Sequence, residues 1–387
     1  MSKIDFNNTE IAFAHKSNQS LKKASLLFKS FNYPFLVQKG PSIASFLLRI
    51  KAPIKSIIRS TIFEQFCGGE TIQECQKTIK QLSDSKIGTI LDYSVEGEES
   101  EENFNSTFEE IKKTIDMSSG NSDIPFSVFK TTGIGRFELL EKVSSNKELN
   151  ALEKEEYQRF KKRFHNLCEH AYNKQVRLFV DAEETWIQDA IDQLTYEMMK
   201  LFNKENAVIY NTIQCYRTNR LEHVKEVSQK LDCFIGYKLV RGAYMEKERE
   251  RAQLMGYPSP IQPNKSSTDK EYNSILEYCV QNNSRISICA GTHNEESCQY
   301  LSELQTQYNL NNNDSKIYYA QLLGMSDHIS FNLSKLNYNV AKYVPYGPVK
   351  SVLPYLGRRA KENSSVKGQA GRELALINKE LNRRKLN

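Results

Sequence analysis

The segment Tyr355-Leu-Gly-Arg-Arg-Ala-Lys-Glu362 sets two guanidiniums, Arg358 and Arg359, four and three residues ahead of one carboxylate, so on a helix all three share a side. Such a group is a clamp for a carboxylate. Adjacent guanidiniums make several charge-assisted bonds to it, and Glu362 orients them while offsetting their repulsion. The alternative is an exposed, salt-bridged helix face, worth well under roughly 1 kcal/mol. A second set of polar residues stands at the ends of short apolar runs: Lys130, Asp181 with Glu183 and Glu184, Gln214, Lys238 and Arg241, Thr292 and His293, Gln321, and Tyr343. One polar residue at a run end is usually a cap or a solvent contact, whereas recurrence at run after run points to shared chemistry. His165 and His170 are five apart, which spreads them around a helix, and His15, His223 and His328 stand in no carboxylate or thiol pattern, so no metal is expected. There is no G-x-S-x-G, Walker loop or H-E-x-x-H, so ester hydrolysis, nucleotide hydrolysis and zinc proteolysis lose their usual signals.

The elements that must position these residues follow from hydrophobic period. Residues 1–84 read as a helical arm, with Ile72, Cys75, Ile79 and Leu82 on one face behind a Thr71/Glu74 capping-box spacing. From there a short apolar or β-branched run alternates with a longer amphipathic one. Strands are expected to begin at Gly88, Pro125, Val176, Ala207, Ile235, Arg285, Lys316 and Asn339. Helices are expected over 101–117, 152–172, 185–202, 221–231, 268–280, 294–308 and 348–362, with capping-box spacings at Thr268/Glu271 and Thr292/Glu295. The acidic run Glu96, Glu98, Glu99, Glu101 and Glu102 loads the first of these helix starts. Eight strand and helix units fit an α/β fold of (βα)8 type, a TIM-like barrel over 85–363 with a basic C-terminal helix over 364–387. An open doubly wound sheet is the alternative, but Gly133 and Gly135 lack the third glycine of a dinucleotide fingerprint. In a barrel, chemistry belongs at the C-terminal strand ends, where the polar set lies.

A chain of 387 residues, 39% apolar and 26% charged, is long enough for a large buried core and has no apolar run of membrane-spanning length. Its eight cysteines are scattered without a C-x-x-C pair, which suits free thiols in a reducing compartment. The last residues are rich in Lys and Arg, but no aromatic follows Tyr355, and a net charge of +6 is mild, so nucleic acid is not an expected partner. Asp5 and Glu10 near the start, with no Arg before Arg49 and no early apolar stretch, predict a chain that stays where it is made. That place is cytoplasmic, or peripheral on the inner face of a membrane, the matrix side in a eukaryote.

The motif series VDAEETWIQDAID, IQCYRTN, GYKLVRGAYMEKERERA, THNEES, QLLGMSDHISF, KYVPYGPV and YLGRRAKEN resembles that of the proline dehydrogenases, in their order and spacing over about residues 85–365. The resemblance implies a distorted (βα)8 barrel that holds FAD noncovalently, oxidises L-proline to 1-pyrroline-5-carboxylate as the first step of proline catabolism and passes electrons to a membrane quinone. It implies that Arg358 and Arg359 bind the proline carboxylate, Glu362 orients them, Lys130 adds a further cation and Asp181 is an active-site acid. Tyr343 and Leu322 would pack on the pyrrolidine ring, with Ala243 and Tyr244 close to the substrate. Gln214, Lys238, Arg241, Gly242, Ala243, Thr292, His293 and Asn294, with Asp181, Gln321 and Glu362, would lie on the flavin side. Some members read R-L-V-K where this chain has Lys238-Leu-Val-Arg241, which leaves open which cation stands near flavin N5. The loop 256–264 receives no substrate contact. Tyr343 favours proline over hydroxyproline, because a ring hydroxyl needs the space a tyrosine fills.

Two rivals remain at the level of sequence. One is a barrel enzyme without flavin that forms a Schiff base on Lys130 or Lys238. The other is an interaction protein whose basic C-terminal helix, 366–386, docks on anionic lipid or acidic partners; in the enzyme the same helix would touch the membrane, or it is simply solvated.

Overall fold

Alternating apolar and amphipathic runs build parallel strands joined by helices, because a parallel pair needs a crossover of helical length. The computed structural model describes residues 4–95, 99–365 and 369–386; Glu96, Glu98, Val366 and Lys367 lie outside them. The arm consists of α1 (Thr9–Phe13), α2 (Asn18–Ser30), α3 (Pro34–Arg49), α4 (Lys55–Ile58), α5 (Glu64–Phe66) and α6 (Ile72–Ser83). Then come β1 (Ile87–Tyr93), α7 (Glu101–Ser118), β2 (Phe126–Lys130), α8 (Phe137–Ser144), α9 (Ala151–Asn173), β3 (Arg177–Asp181), α10 (Thr185–Phe202) and β4 (Ile209–Gln214). The series continues with α11 (Arg220–Lys230), β5 (Ile235–Val240), α12 (Met245–Met255), α13 (Lys265–Gln281), β6 (Ile286–Gly291), α14 (Glu295–Gln307) and β7 (Ile317–Leu322). It ends with α15 (Asp327–Lys335), β8 (Val340–Tyr346), α16 (Val349–Ser365) and α17 (Gln369–Leu386). The strands close into a barrel in the order β1-β2-β3-β4-β5-β6-β7-β8, which excludes the open sheet.

The chain divides into two compact units, Glu98–Ala320 and a second made of Ser2–Gly97 with Gln321–Asn387. In the first, β2 to β6 pair in parallel register, Val128 opposite Phe179 and Thr212 opposite Lys238. Strand alternation sends Phe126, Phe179 and Tyr210 to one side, where Phe126 stacks on Phe179 at 4.4 Å and meets Tyr210 and Tyr318 edge-on. Rings from non-neighbouring strands meet only inside a barrel, so this cluster is its floor, with the Arg177 guanidinium 5.2 Å from two of the rings. Gly236 is needed there, since a Cβ would lie 2.4 Å from the Tyr210 ring.

In the second unit β1 and β8 pair over their full lengths, Ile90 opposite Tyr343 and Asp92 opposite Pro345. Its core joins arm and C-terminal helices: Phe13, Leu21, Phe28 and Phe66 pack with Val352, Leu356, Leu376 and Ile377.

Several helix starts differ from the sequence reading. Helix α13 begins three residues before Thr268, because Asn264 accepts from Ser267 N at 2.9 Å and caps first. Helix α14 is capped by Asn294, which accepts from Ser297 N, and Thr292 receives Asn294 N and Arg241 instead. Thr71 does cap α6, but Glu74 accepts from Glu70 N, so the box there is half formed. Helices α8, α12 and α15 carry no expected period. Helix α12 is mostly charged, and α15 is buried along nearly its whole length, so neither shows a single apolar stripe. The histidines also depart from expectation. His15, His223 and His328 lie 3.7–4.0 Å from Asp327, Asp192 and Glu373, which are remote in sequence or on another turn.

Candidate active site

The same alternation that sends Phe179 to the floor of the barrel puts Asp181 two residues higher on the same side, and Gly236 is followed in the same way by Lys238. Asp181 and Lys238 come from strands separated by β4, yet their side chains form an ion pair, so both point into the interior. Lys238 is 4% exposed and its ammonium lies 5.5 Å from the Phe179 ring. A buried ammonium persists only if it is compensated, and Asp181 provides that compensation.

Arg241, three residues on and past the end of β5, behaves differently. Its Nε donates to Asp269 at 2.7 Å, Nη1 to Thr292 Oγ1 at 2.5 Å and Nη2 to Ser297 Oγ at 3.0 Å, while its plane lies 4.5 Å from the Tyr272 ring. Every guanidinium nitrogen is engaged by α13, α14 and the β6–α14 turn. The two cations of the K-L-V-R segment therefore separate: Lys238 is an interior cation and Arg241 a brace. Next to it Gly242 holds φ +126°, where a Cβ would strike the Tyr216 ring at 2.5 Å. Gly242 and Ala243 are exposed, and Tyr244 precedes the first turn of α12.

Above β3 and β4 lies a polar shelf. Glu183 accepts from Thr132 N at 2.9 Å and Thr132 Oγ1 at 2.6 Å, and its own N–H donates to Gln188. Burial pushes its carboxyl up to about 7, against those bonds and the charge of Lys130. Gln214 Nε2 donates to Glu183 O at 2.8 Å, whereas the buried Gln214 Oε1 has no hydrogen-bond partner among the described residues. A buried acceptor left unmade is costly, so this atom is suited to a donor that comes from a ligand. A flavin's ring and ribityl chain offer such donors, and the exposed Gly242-Ala243 backbone is open to a flat group. The residues present fit an FAD on these observations.

In the second unit, Tyr343 and Ile90 share one face of the β1–β8 pair with Asp92, while Lys342 points to the opposite face. Leu323 N donates to Tyr343 O at 2.8 Å, which sets Leu322 beside that strand. Gln321 is buried and accepts from Ser330 Oγ. On α16, Arg359 is 7% exposed and donates through Nη2 to Glu362 Oε1 at 2.5 Å, with its plane 5.0 Å from the Tyr355 ring. Among the described residues its buried Nε has no acceptor, and the buried Tyr355 hydroxyl has no partner. Burial pushes the Glu362 carboxyl up, opposed by Arg359 and then Arg358. Arg358, one position earlier, is half-buried.

The structure thus pairs Asp181 with Lys238, Arg241 with Thr292 and, through Thr292, with Asn294, and Arg359 with Glu362. Lys130 ends β2 and His293 follows β6, each half-buried. Sequence reasoning assigned no role to Asp92, a buried carboxylate near the end of β1 that accepts from Ser94 Oγ at 2.6 Å. It also passed over Tyr355. An acid one residue before the end of the first strand was the available signal for Asp92, while nothing local marks Tyr355.

Several cations of the basic C-terminal segment have partners within the chain. Glu380 on α17 is fully buried and accepts from both Arg383 and Arg384. Arg384 also donates to the carbonyls of Phe13 and Lys16, and Lys379 and Arg372 donate to Asn7. These contacts tie α17 to the chain's own arm, while Lys379 and Lys385 remain exposed.

The family model described as proline dehydrogenase matches residues 75–372. The Dictyostelium discoideum protein named proline dehydrogenase 1, mitochondrial, is 32% identical across 99% of this chain and 75% of its own length. The carbapenem antibiotics biosynthesis protein CarD of Pectobacterium carotovorum is 35% identical across 87% of each chain. Human proline dehydrogenase 1, mitochondrial, is 42% identical over 60% of this chain, which spans 40% of the human protein. Proline utilization A from Bdellovibrio bacteriovorus, solved after inactivation by N-propargylglycine, superposes with a TM-score of 0.72 at 18% identity, over 92% of this chain and 38% of that one. That likeness shows the barrel fold. The extent of the family match, together with relatives above 30% identity over most of the chain, shows that this chain belongs to the proline dehydrogenase family.

Proposed function

We propose that the chain oxidises L-proline to 1-pyrroline-5-carboxylate with FAD bound at the C-terminal ends of the barrel strands, and that the electrons pass to a membrane quinone. The observation that carries this reading is Arg359, a buried guanidinium whose Nε has no acceptor among the described residues. A buried donor of this kind is stabilised by an arriving carboxylate, at roughly 1.5–3 kcal/mol for a charge-assisted bond. Arg358 takes the other carboxylate oxygen, Glu362 holds Arg359 in place and Lys130 adds a cation.

Tyr343 and Leu322, with Ala243 and Tyr244, pack on the ring and exclude water. Gln214, Lys238, Gly242, Ala243, His293 and Gln321 line the flavin side, while Arg241, Thr292 and Asn294 brace it. Asp181 keeps Lys238 oriented, and Lys238 is the cation of choice beside the flavin ring, since Arg241 is fully engaged elsewhere. FAD supplies the acceptor for a hydride from the carbon beside the ring nitrogen. The amine must be neutral at that moment, because its lone pair closes the C=N bond, and the N–H proton then leaves to water. Fixing the carboxylate end and holding the ring flat is most of what the protein does.

Flavin reduction by proline accordingly rises with pH as the bound amine loses its proton. The deciding test is the visible spectrum before and after anaerobic addition of proline. A yellow protein that bleaches supports the reading. A colourless protein that borohydride traps with a carbonyl substrate overturns it in favour of a Schiff-base enzyme. One relative is named hydroxyproline dehydrogenase, in Xenopus laevis, at 29% identity. Tyr343 argues for proline here, and equal turnover of trans-4-hydroxyproline would refute that choice. The mitochondrial names of several relatives support a mitochondrial or equivalent inner-membrane setting, and among the described residues no helix is long and apolar enough to cross a membrane.

A further inference from the structure

Helix α3 is built mainly from apolar residues, yet Val37 is its single buried one among the described residues. At 100° per residue the sequence makes two apolar faces. Val37, Ala44 and Leu48 turn inward to the core, and Pro41 seats the helix on α16, about where a Cβ of Gly357 would touch it at 3.1 Å. Phe35, Leu36, Ile43, Phe46 and Ile50 fall within an arc of about 100° on the other side. Phe35 is 66%, Phe46 61% and Ile50 58% exposed. A contiguous exposed stripe of this kind marks an interaction surface.

Charge says what covers it. From Ile11 to Phe63 there is not one Asp or Glu. Lys22, Lys29, Lys39, Arg49 and Lys51 are exposed and have no carboxylate partner among the described residues. Lys39 stands within the apolar arc itself, where a long stem can lie along the stripe and lift its ammonium to a polar layer. A second copy docked stripe on stripe about a two-fold axis would bring the Lys39 and Arg49 charges of the two copies onto one apolar contact, which is unfavourable.

We propose that this face of α3 lies in the headgroup region of an anionic lipid bilayer, with Phe35, Phe46 and Ile50 in the acyl boundary and the lysines and arginines on the phosphates. The helix is 16 residues long, too short to span, so it lies in the plane. The inference does not depend on the flavin reading, and it moves membrane contact from the C-terminal helix to the arm.

The test is co-flotation of the full chain with vesicles of phosphatidylcholine mixed with phosphatidylglycerol, against phosphatidylcholine alone. Binding is expected to the mixed vesicles, falling as salt rises. Phe35→Ser with Phe46→Ser, and separately Lys39→Glu with Arg49→Glu, should each weaken it by about tenfold or more at unchanged melting temperature. Lys385→Glu on α17 should leave it unaltered. The proposal is overturned if the wild type does not float with mixed vesicles, if both double variants bind as the wild type does, or if Lys385→Glu abolishes binding. It is equally overturned if the stripe instead forms a dimer, seen as a doubled mass by light scattering that Phe35→Ser with Phe46→Ser returns to monomer without any vesicle binding.

Discussion

Two arginine pairs on consecutive helices have the same composition. Arg358 and Arg359 on α16 stand four and three residues before Glu362, and Arg383 and Arg384 on α17 stand three and four residues after Glu380. Their surroundings differ. Glu380 is fully buried and bonded by both arginines, and the remaining nitrogens of Arg384 end on Phe13 O, Lys16 O and Asn18 Oδ1. Glu362 is bonded by Arg359, and among the described residues Arg359 keeps a buried Nε without an acceptor beside a buried hydroxyl in the same state. A saturated cluster has no capacity for a ligand and serves the fold, whereas an unsaturated one is stabilised by what binds it.

The largest expected effect comes from the unsaturated pair. Arg359→Met should raise KM for proline by about 10- to 100-fold, the worth of one charge-assisted bond to a carboxylate, with the melting temperature little changed. Steady-state kinetics and a thermal melt check it together, and an unchanged KM erases the distinction between the two helices. Arg384→Met should do the reverse. It strips a donor from several arm acceptors and from Glu380, at a cost of about 2 kcal/mol by urea unfolding, while KM stays the same. A shifted KM here would mean that α17 reaches the chemistry.

Smaller effects separate the carboxylates by pH. Burial pushes Glu380 up, but hydrogen bonds from Arg383, Arg384 and Thr9 outweigh it and bring it down to about 2 from 4.5. A depressed carboxyl contributes stability that is complete above about 4.5 and lost as pH falls toward about 2. Glu380→Gln should therefore be less stable than wild type at neutral pH and converge with it in acid, as melts across that range would show. Glu183 has neutral donors from Thr132 and no bonded cation among the described residues, and burial raises it to about 7. Its contribution has the opposite sign, present below about 4.5 and lost as pH rises through about 7. Glu183→Gln should flatten that decline, the smallest of these changes. Melting curves of variant and wild type that run parallel from about pH 5 to about pH 8 would remove the argument from burial.

Much of the barrel was legible because its strands are short apolar runs between amphipathic ones. Each expected strand overlaps an observed one, with ends shifted by a few residues. The misjudged helix starts share a cause: Asn264 and Asn294 compete with nearby threonines as caps, and local spacing does not rank two good caps against each other. Part of the site was equally legible. The Arg359–Glu362 pair follows from helical spacing, and Asp181 and Lys238 from their places on strands. That they pair with each other was not readable, because it needs β4 to lie between them in a closed sheet.

What the sequence determined by itself was local: periodicity, run ends, which residues could carry charge, and the motif series that marks the family. Tertiary structure alone decided which of those charges remain available. Arg358–Arg359 and Arg383–Arg384 are alike in spacing, yet Arg384 ends on acceptors from distant segments, whereas among the described residues Arg359 keeps a buried Nε without one. Saturation of a hydrogen-bonding group depends on every atom within about 3 Å of it, and those neighbours are set by how the chain folds back on itself.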